Sequence, residues 1–160
     1  MERKVIKRLA MLSLVSMFTL CAAAASANAQ LSSYPIKAKI PFDFSVGNKK
    51  LAAGEYTFSR LSGFSDNRMM LVSGLDSNTH VFQSTFSAQV LTPKNESGLV
   101  FHKYGDEYFL EEIWTSGEQE GSQLPESRSE RTVRLAQTHQ NNMSGKVIRA
   151  ETVNIVASLF

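Results

Sequence analysis

Three features of this 160-residue chain point to a mainly β protein, an antiparallel β-sandwich or a small β-barrel with one surface helix near its C-terminus. Over residues 36–46 every even position is apolar (Ile36, Ala38, Ile40, Phe42, Phe44, Val46), while the odd ones are Lys37, Lys39, Pro41, Asp43 and Ser45. That is the period of a strand with one wet face. Residues 99–104 and 107–115 are two β-rich runs separated only by Gly105-Asp106, a two-residue hairpin turn with Gly at its first central position. After residue 115 the strand pattern stops, and Pro125, Ser127 and Glu130 form a helix-start signature. Seven or eight short strands and one late helix suit a sandwich and a closed barrel equally.

The first 29 residues read as a secretory signal. Arg3, Lys4, Lys7 and Arg8 form a basic head, an apolar stretch follows, and small residues crowd the end at Ala25-Ser26-Ala27-Asn28-Ala29. The preferred cleavage lies between Ala29 and Gln30, with a second frame before Asn28. A retained span is opposed by Ser13, Ser16 and Thr19, which interrupt an apolar stretch already shorter than the ~20 residues a crossing needs. Lipidation at Cys21 is opposed by the bulky Leu20 before it. The expected mature protein is one β domain, residues 30–160, exported to the periplasm, the cell surface or the medium.

Removing this segment changes the charge balance. It carries four basic residues and only Glu2 on the acidic side, leaving thirteen basic against fourteen acidic. The field that would attract nucleic acid or anionic lipid is therefore absent. The lone Cys21 leaves with the signal, so no disulfide and no thiolate metal site is expected.

Along the domain, Pro41 cannot donate to a ladder and puts the first strand at an edge or beside a bulge. Gly47-Asn48-Lys49-Lys50 reads as a turn and Gly54 as a second break before a strand over 55–61; 62–68 is a loop, and 69–73 a short strand. Residues 79–91 read as one longer strand with Phe82, Phe86, Ala88 and Val90 on one side. In the hairpin, the two-residue turn sets Phe101 opposite Leu110 and His102 opposite Phe109. One face then holds Leu99, Phe101, Tyr108, Leu110 and Trp114, the other Val100, His102, Tyr104, Phe109 and Ile113. With both faces half apolar, the hairpin belongs inside a covered layer. Residues 115–123 read as a polar linker and about 125–137 as a surface helix with a Ser127/Glu130 capping box and a Glu130–Arg134 pair. Residues 139–145 break it, and 146–157 form the last strand.

The wording of the chain resembles a group of short exported hypothetical proteins of soil bacteria. The resemblance is carried by Ile40-Pro41-Phe42-Asp43-Phe44-Ser45-Val46-Gly47-Asn48, Leu51-Ala52-Ala53-Gly54-Glu55-Tyr56-Thr57-Phe58, Phe101-His102-Lys103-Tyr104-Gly105-Asp106, Tyr108-Phe109-Leu110, Ile113-Trp114 and Leu124-Pro125-Glu126-Ser127. It implies export and a single β domain, and it implies no activity, cofactor or catalytic residue.

Motifs of catalysis are missing. His80, His102 and His139 are far apart in sequence, without a metal-ligand spacing. Glu111 and Glu112 are adjacent, so a regular strand points them to opposite faces. Asp76-Ser77-Asn78 starts like a calcium loop but lacks the spaced Gly and terminal Glu. No nucleophile elbow, phosphate loop or dinucleotide fingerprint occurs. No catalytic residue, metal ligand or cofactor is therefore assigned. The candidate ligand-binding residues are Tyr104, Tyr108 and Trp114, aromatics clustered around the hairpin, together with His102. The function expected is an exported non-catalytic β module with a binding or structural role. Its rivals are a lipid-like small-molecule carrier with an internal apolar cavity and, third, an enzyme of unrecognised type. Candidate partners are a carbohydrate, a lipid or another envelope protein, with no nucleic acid and no integral membrane span after processing. An outer-membrane barrel is opposed by Thr152, Asn154, Val156 and Ser158, which do not make an outward apolar band behind Phe160.

Overall fold

The computed structural model describes residues 35–61, 68–144 and 150–159, with side chains in the last turns of the helix described only to residue 138. The proposed signal, its Ala29–Gln30 junction and the first residues of the predicted last strand lie outside these.

The alternating run 36–46 forms two strands, β1 (Ile36–Ile40) and β2 (Phe44–Val46). Its even residues Ile36, Ala38, Ile40, Phe44 and Val46 are all buried. Pro41 lies in the break between the strands, where it leaves no ladder bond unmade. β1 is not an edge: it pairs with β4 (Gly54–Arg60) on one side and β11 (Glu151–Leu159) on the other. Beyond Pro41, β2 takes a new partner, running parallel to β9 (Glu107–Trp114) at Ser45–Phe109. It then folds back on β3 (Lys49–Leu51) through a turn with Gly47 at φ +58°. Asp43 ties this corner to the next turn, its Oδ1 accepting the N–H of Ala53 at 3.0 Å.

The long strand expected over 79–91 is also divided. β6 (His80–Ser84) pairs with β5 (Met69–Gly74), whereas β7 (Phe86–Gln89) pairs with β10 (Glu120–Gln123). Between them Thr85 is buried, and its N–H and hydroxyl both bond the carbonyl of Arg68, at 2.7 and 3.1 Å. This change of partner nearly closes the sheet into a barrel. From β9 the order runs through β8 (Ser97–Tyr104), β11, β1, β4, β5 and β6, and the chain returns through β7 and β10 to β9. On the divided strand the side carrying Phe82 and Phe86 faces outward, 62% and 55% exposed, while Val81 is buried.

β10 forms where the sequence reads as a linker. Glu120-Gly121-Ser122-Gln123 has no apolar period, and its extended form is set by pairing to β7 and β9, whose backbone groups need partners. Gly121 is required, because a Cβ there would lie 2.7 Å from a ring carbon of Trp114.

Near its turn the β8–β9 hairpin has the register read from the sequence, Phe101 opposite Leu110 and His102 opposite Phe109, with Gly105 at φ +64°. One step further the register shifts: Val100 pairs with Glu112, leaving Glu111 as the extra residue of a bulge. Since side chains alternate with period 2, one inserted residue exchanges the faces beyond it. Ile113 therefore joins Leu99 in the core, and Trp114, expected beside Tyr108 and Leu110, goes to the opposite face.

The helix, α1, spans Arg128–Ser144 rather than 125–137. Ser127 is its N-cap, with Oγ accepting the N–H of Glu130 at 3.0 Å, so Pro125 and Glu126 stay outside. Asn48 Oδ1 takes the N–H of Arg128 at 3.2 Å. No Gly or Pro occurs before Gly145, so nothing stops the helix at 137. The predicted Glu130–Arg134 pair is replaced: Arg134 bonds Glu126 at 2.7 Å, and Glu130 turns toward the barrel. Leu135 is exposed, so the helix rests on the sheet mainly through polar groups.

Among the described residues the barrel interior is packed with apolar side chains. Phe44, Phe101, Ile36, Ile40, Leu99, Val46 and Val72 are fully buried within one apolar cluster, and Phe44 meets Tyr56 and Phe101 edge to face at 5.1 and 5.6 Å. No helix among the described residues is long and apolar enough to cross a membrane.

Candidate functional site

A cluster of titratable side chains lies where α1 crosses the β8–β9 hairpin. His102 and Tyr104 project from β8 on the same face, which on β9 is the face of Phe109 and Glu111. Together with Leu124, Glu130 and Arg134, the side chains of His102, Tyr104 and Glu111 line an open cleft of about 220 Å³.

At its centre His102 is bound from both sides. Its Nδ1 donates to Glu130 Oε1 and its Nε2 to Glu111 Oε2, each at 2.8 Å. Carboxylates in their ionised form only accept, and against two of them the imidazolium is the form of the ring that can donate from both nitrogens. The hydrogen bond to Glu130 and the charges of Glu111, Glu130 and Glu112 raise the His102 pKa against the opposing effect of burial. Glu111 is raised as well, chiefly by burial, with the His102 charge working the other way. Tyr104, whose hydroxyl faces Glu130 Oε1 at 3.5 Å, is pushed up to about 12 by burial and by the Glu130 charge, so it stays neutral. Among the described residues no group of three His, Cys, Asp or Glu side chains is placed to hold a metal ion.

Both ring nitrogens of His102 are taken up by carboxylates. The arrangement ties the helix to the hairpin. Glu130 reaches down from α1 to a histidine on β8, and that histidine is braced from behind by β9. His102→Ala strips Glu130, itself buried, of its charged partner and should cost roughly 2–3 kcal/mol in urea unfolding. The pH dependence has a defined sign. Because folded His102 holds its proton more tightly, its contribution is complete below the ordinary value of 6.5 and is lost as pH rises through the raised folded value. Glu111 acts in the same direction from its ordinary value of 4.5 upward. Stability should therefore fall with rising pH across these windows, and the fall above 6.5 should vanish in His102→Gln.

The four candidate binding residues do not converge on one surface. His102 and Tyr104 meet in the cleft, but Tyr104 is buried against Phe109. Tyr108 projects to the core side and stacks on Phe42, ring centroids 3.8 Å apart. Trp114, 4% exposed, lies on Gly121 with its Nε1–H donating to Glu112 Oε2 at 2.8 Å and Lys94 over its ring at 5.1 Å. Sequence reasoning missed Glu111 and Glu130 as partners of His102. Alternation from Phe109 puts Glu111 on the His102 face but names no partner for it, and a capping-box reading of Glu130 has it return to its own helix. Comparison with known proteins gives no match: no family model, no curated protein and no solved structure aligns significantly with the chain.

Proposed function

We propose that this chain is an exported, non-catalytic binding module in which the barrel is a rigid scaffold and recognition takes place on its outer surface. The filled interior is the observation that carries this reading: seven fully buried apolar side chains occupy the space in which a carrier would hold its cargo. The occupied imidazole supports it, since the best-placed titratable group is spent on holding a helix. The basic head, apolar stretch and small-residue end of residues 1–29 support export.

The test uses the protein recovered after expression of the full chain in a bacterial host with an export pathway. Its intact mass should correspond to a start at Gln30, and titration with cis-parinaric acid, a fluorescent fatty acid, should show no saturable uptake. Saturable uptake of one equivalent would make the protein a carrier, and a mass that retains Met1 would remove the export reading.

A further inference from the structure

The way α1 is attached differs from the way the strands are. A helix that docks by packing presents an apolar stripe to its neighbour. Among the described side chains of α1, residues 128–138, only Glu130 is buried, Val133 and Gln137 are half-buried, and the others are exposed. The most deeply placed side chain of the helix is therefore a carboxylate, and its partner is His102.

The three members of the His102 cluster are not equally free to move. His102 is in β8, with β9 on one side and β11 on the other. Glu111 is on β9, and its carbonyl accepts the N–H of Leu124 at 2.7 Å. Glu130 belongs to a helix, whose backbone groups bond to one another and make no ladder with the sheet. Its backbone is tied to the barrel at the first turn, where Asn48 Oδ1 accepts the N–H of Arg128. If the two carboxylates can no longer share the ring, the helix is the part that gives way.

Loss of the His102 proton brings this about. A neutral imidazole carries one N–H, so one ring nitrogen turns a lone pair toward a carboxylate oxygen 2.8 Å away. Among the described residues the groups around the ring do not replace the lost charge. On β8, Tyr104 is neutral up to about 12. On β9, Glu112 accepts from the Trp114 indole and adds only negative charge. On β11 the residue opposite His102 is Thr152, and Glu151 beside it is paired with Lys103. Arg134, the cation of α1 that lines the cleft, is held by Glu126 at 2.7 Å, and Glu126 also takes Arg131.

We propose that α1 is a proton-gated latch, closed on the β8–β9 hairpin while His102 is charged and released from it, with the barrel intact, when that charge is lost. Release uncovers Tyr104, which is buried where its hydroxyl faces Glu130, and opens the cleft. Once free of His102, Glu130 has Arg134 one turn along its own helix as a new partner. The ordinary histidine value is 6.5 and the folded value is higher, so release belongs above 6.5. The inference is independent of the binding-module reading.

The experiment uses ¹³C,¹⁵N-labelled protein recovered after expression of the full chain. From about pH 6 to about pH 10 it follows the ring resonances of His102 and the backbone order parameters. Values for residues 128–138 should fall from about 0.85 to below about 0.6 in step with the His102 titration, while those of β1, β4, β8 and β9 stay unchanged. Glu130→Gln replaces the carboxylate by an amide that pairs with a neutral imidazole, so its helix should stay rigid throughout. His102→Gln does not titrate, and its helix should show no transition with pH. A parent helix that stays rigid over the whole range would overturn the proposal. So would the same transition in Glu130→Gln, or loss of order in the strands together with the helix, which would be global unfolding and not the release of one element.

Discussion

Phe44→Ala should destabilise the protein by about 3–5 kcal/mol, while Lys39→Ala should cost about 0.5 kcal/mol or less. The two residues belong to the same alternating run, and only the face differs. Phe44 is fully buried between Tyr56 and Phe101, which it meets edge to face, so truncation removes its transfer free energy and leaves a cavity the closed sheet cannot collapse into. Lys39 is exposed on β1. Urea titrations of the two variants against the parent protein measure the difference, and equal losses would mean that the even-numbered face is not the buried one.

Trp114→Ala should cost a similar amount, about 3–5 kcal/mol, for a different reason. Trp114 lies outside the main core, on the face opposite Ile113, where its ring covers Gly121 of β10. It is the layer that seals β9 against the closing strand. As the only Trp in the chain it also reports on itself. Its emission should be blue-shifted and resist iodide quenching in the folded protein, and both properties should be lost together on unfolding. Gly121→Ala provides the converse test. A Cβ at Gly121 would meet three ring carbons of Trp114 at 2.7 to 2.9 Å, so the added methyl must displace the indole and should cost about 1–3 kcal/mol. Ready quenching in the parent protein, or a neutral Gly121→Ala, would place Trp114 at the surface.

The two tests show how far each kind of sequence signal reaches. Phe44 was legible because alternation is local: each residue states its own face relative to its neighbours, and the pattern survives the corner at Pro41. Trp114 was legible as an aromatic to be buried, but its face was not, because a bulge at Glu111 reverses everything after it. His102 and Tyr104 were read correctly as neighbours on one face of the hairpin, and both line the helix-covered cleft. Glu130, the partner of His102, comes from 28 residues along the chain, a distance over which no periodicity carries information.

By itself the sequence determined the mainly β composition, the hairpin and its register at the turn, the buried face of the first run, and the cap at Ser127 that starts the helix. These depend on a residue and its nearest neighbours: the period-2 pleat, the φ that Gly105 permits, the hydroxyl that Ser127 offers to the N–H of Glu130. The tertiary structure alone decided that the sheet curls into a nearly closed barrel instead of splitting into a sandwich. It also decided that 79–91 divides at Thr85 and that a polar stretch at 120–123 becomes the closing strand. The reason is the same in each case. Curling a sheet toward closure brings together strands that are far apart in the sequence, and which backbone a strand pairs with depends on what the rest of the chain has already folded into.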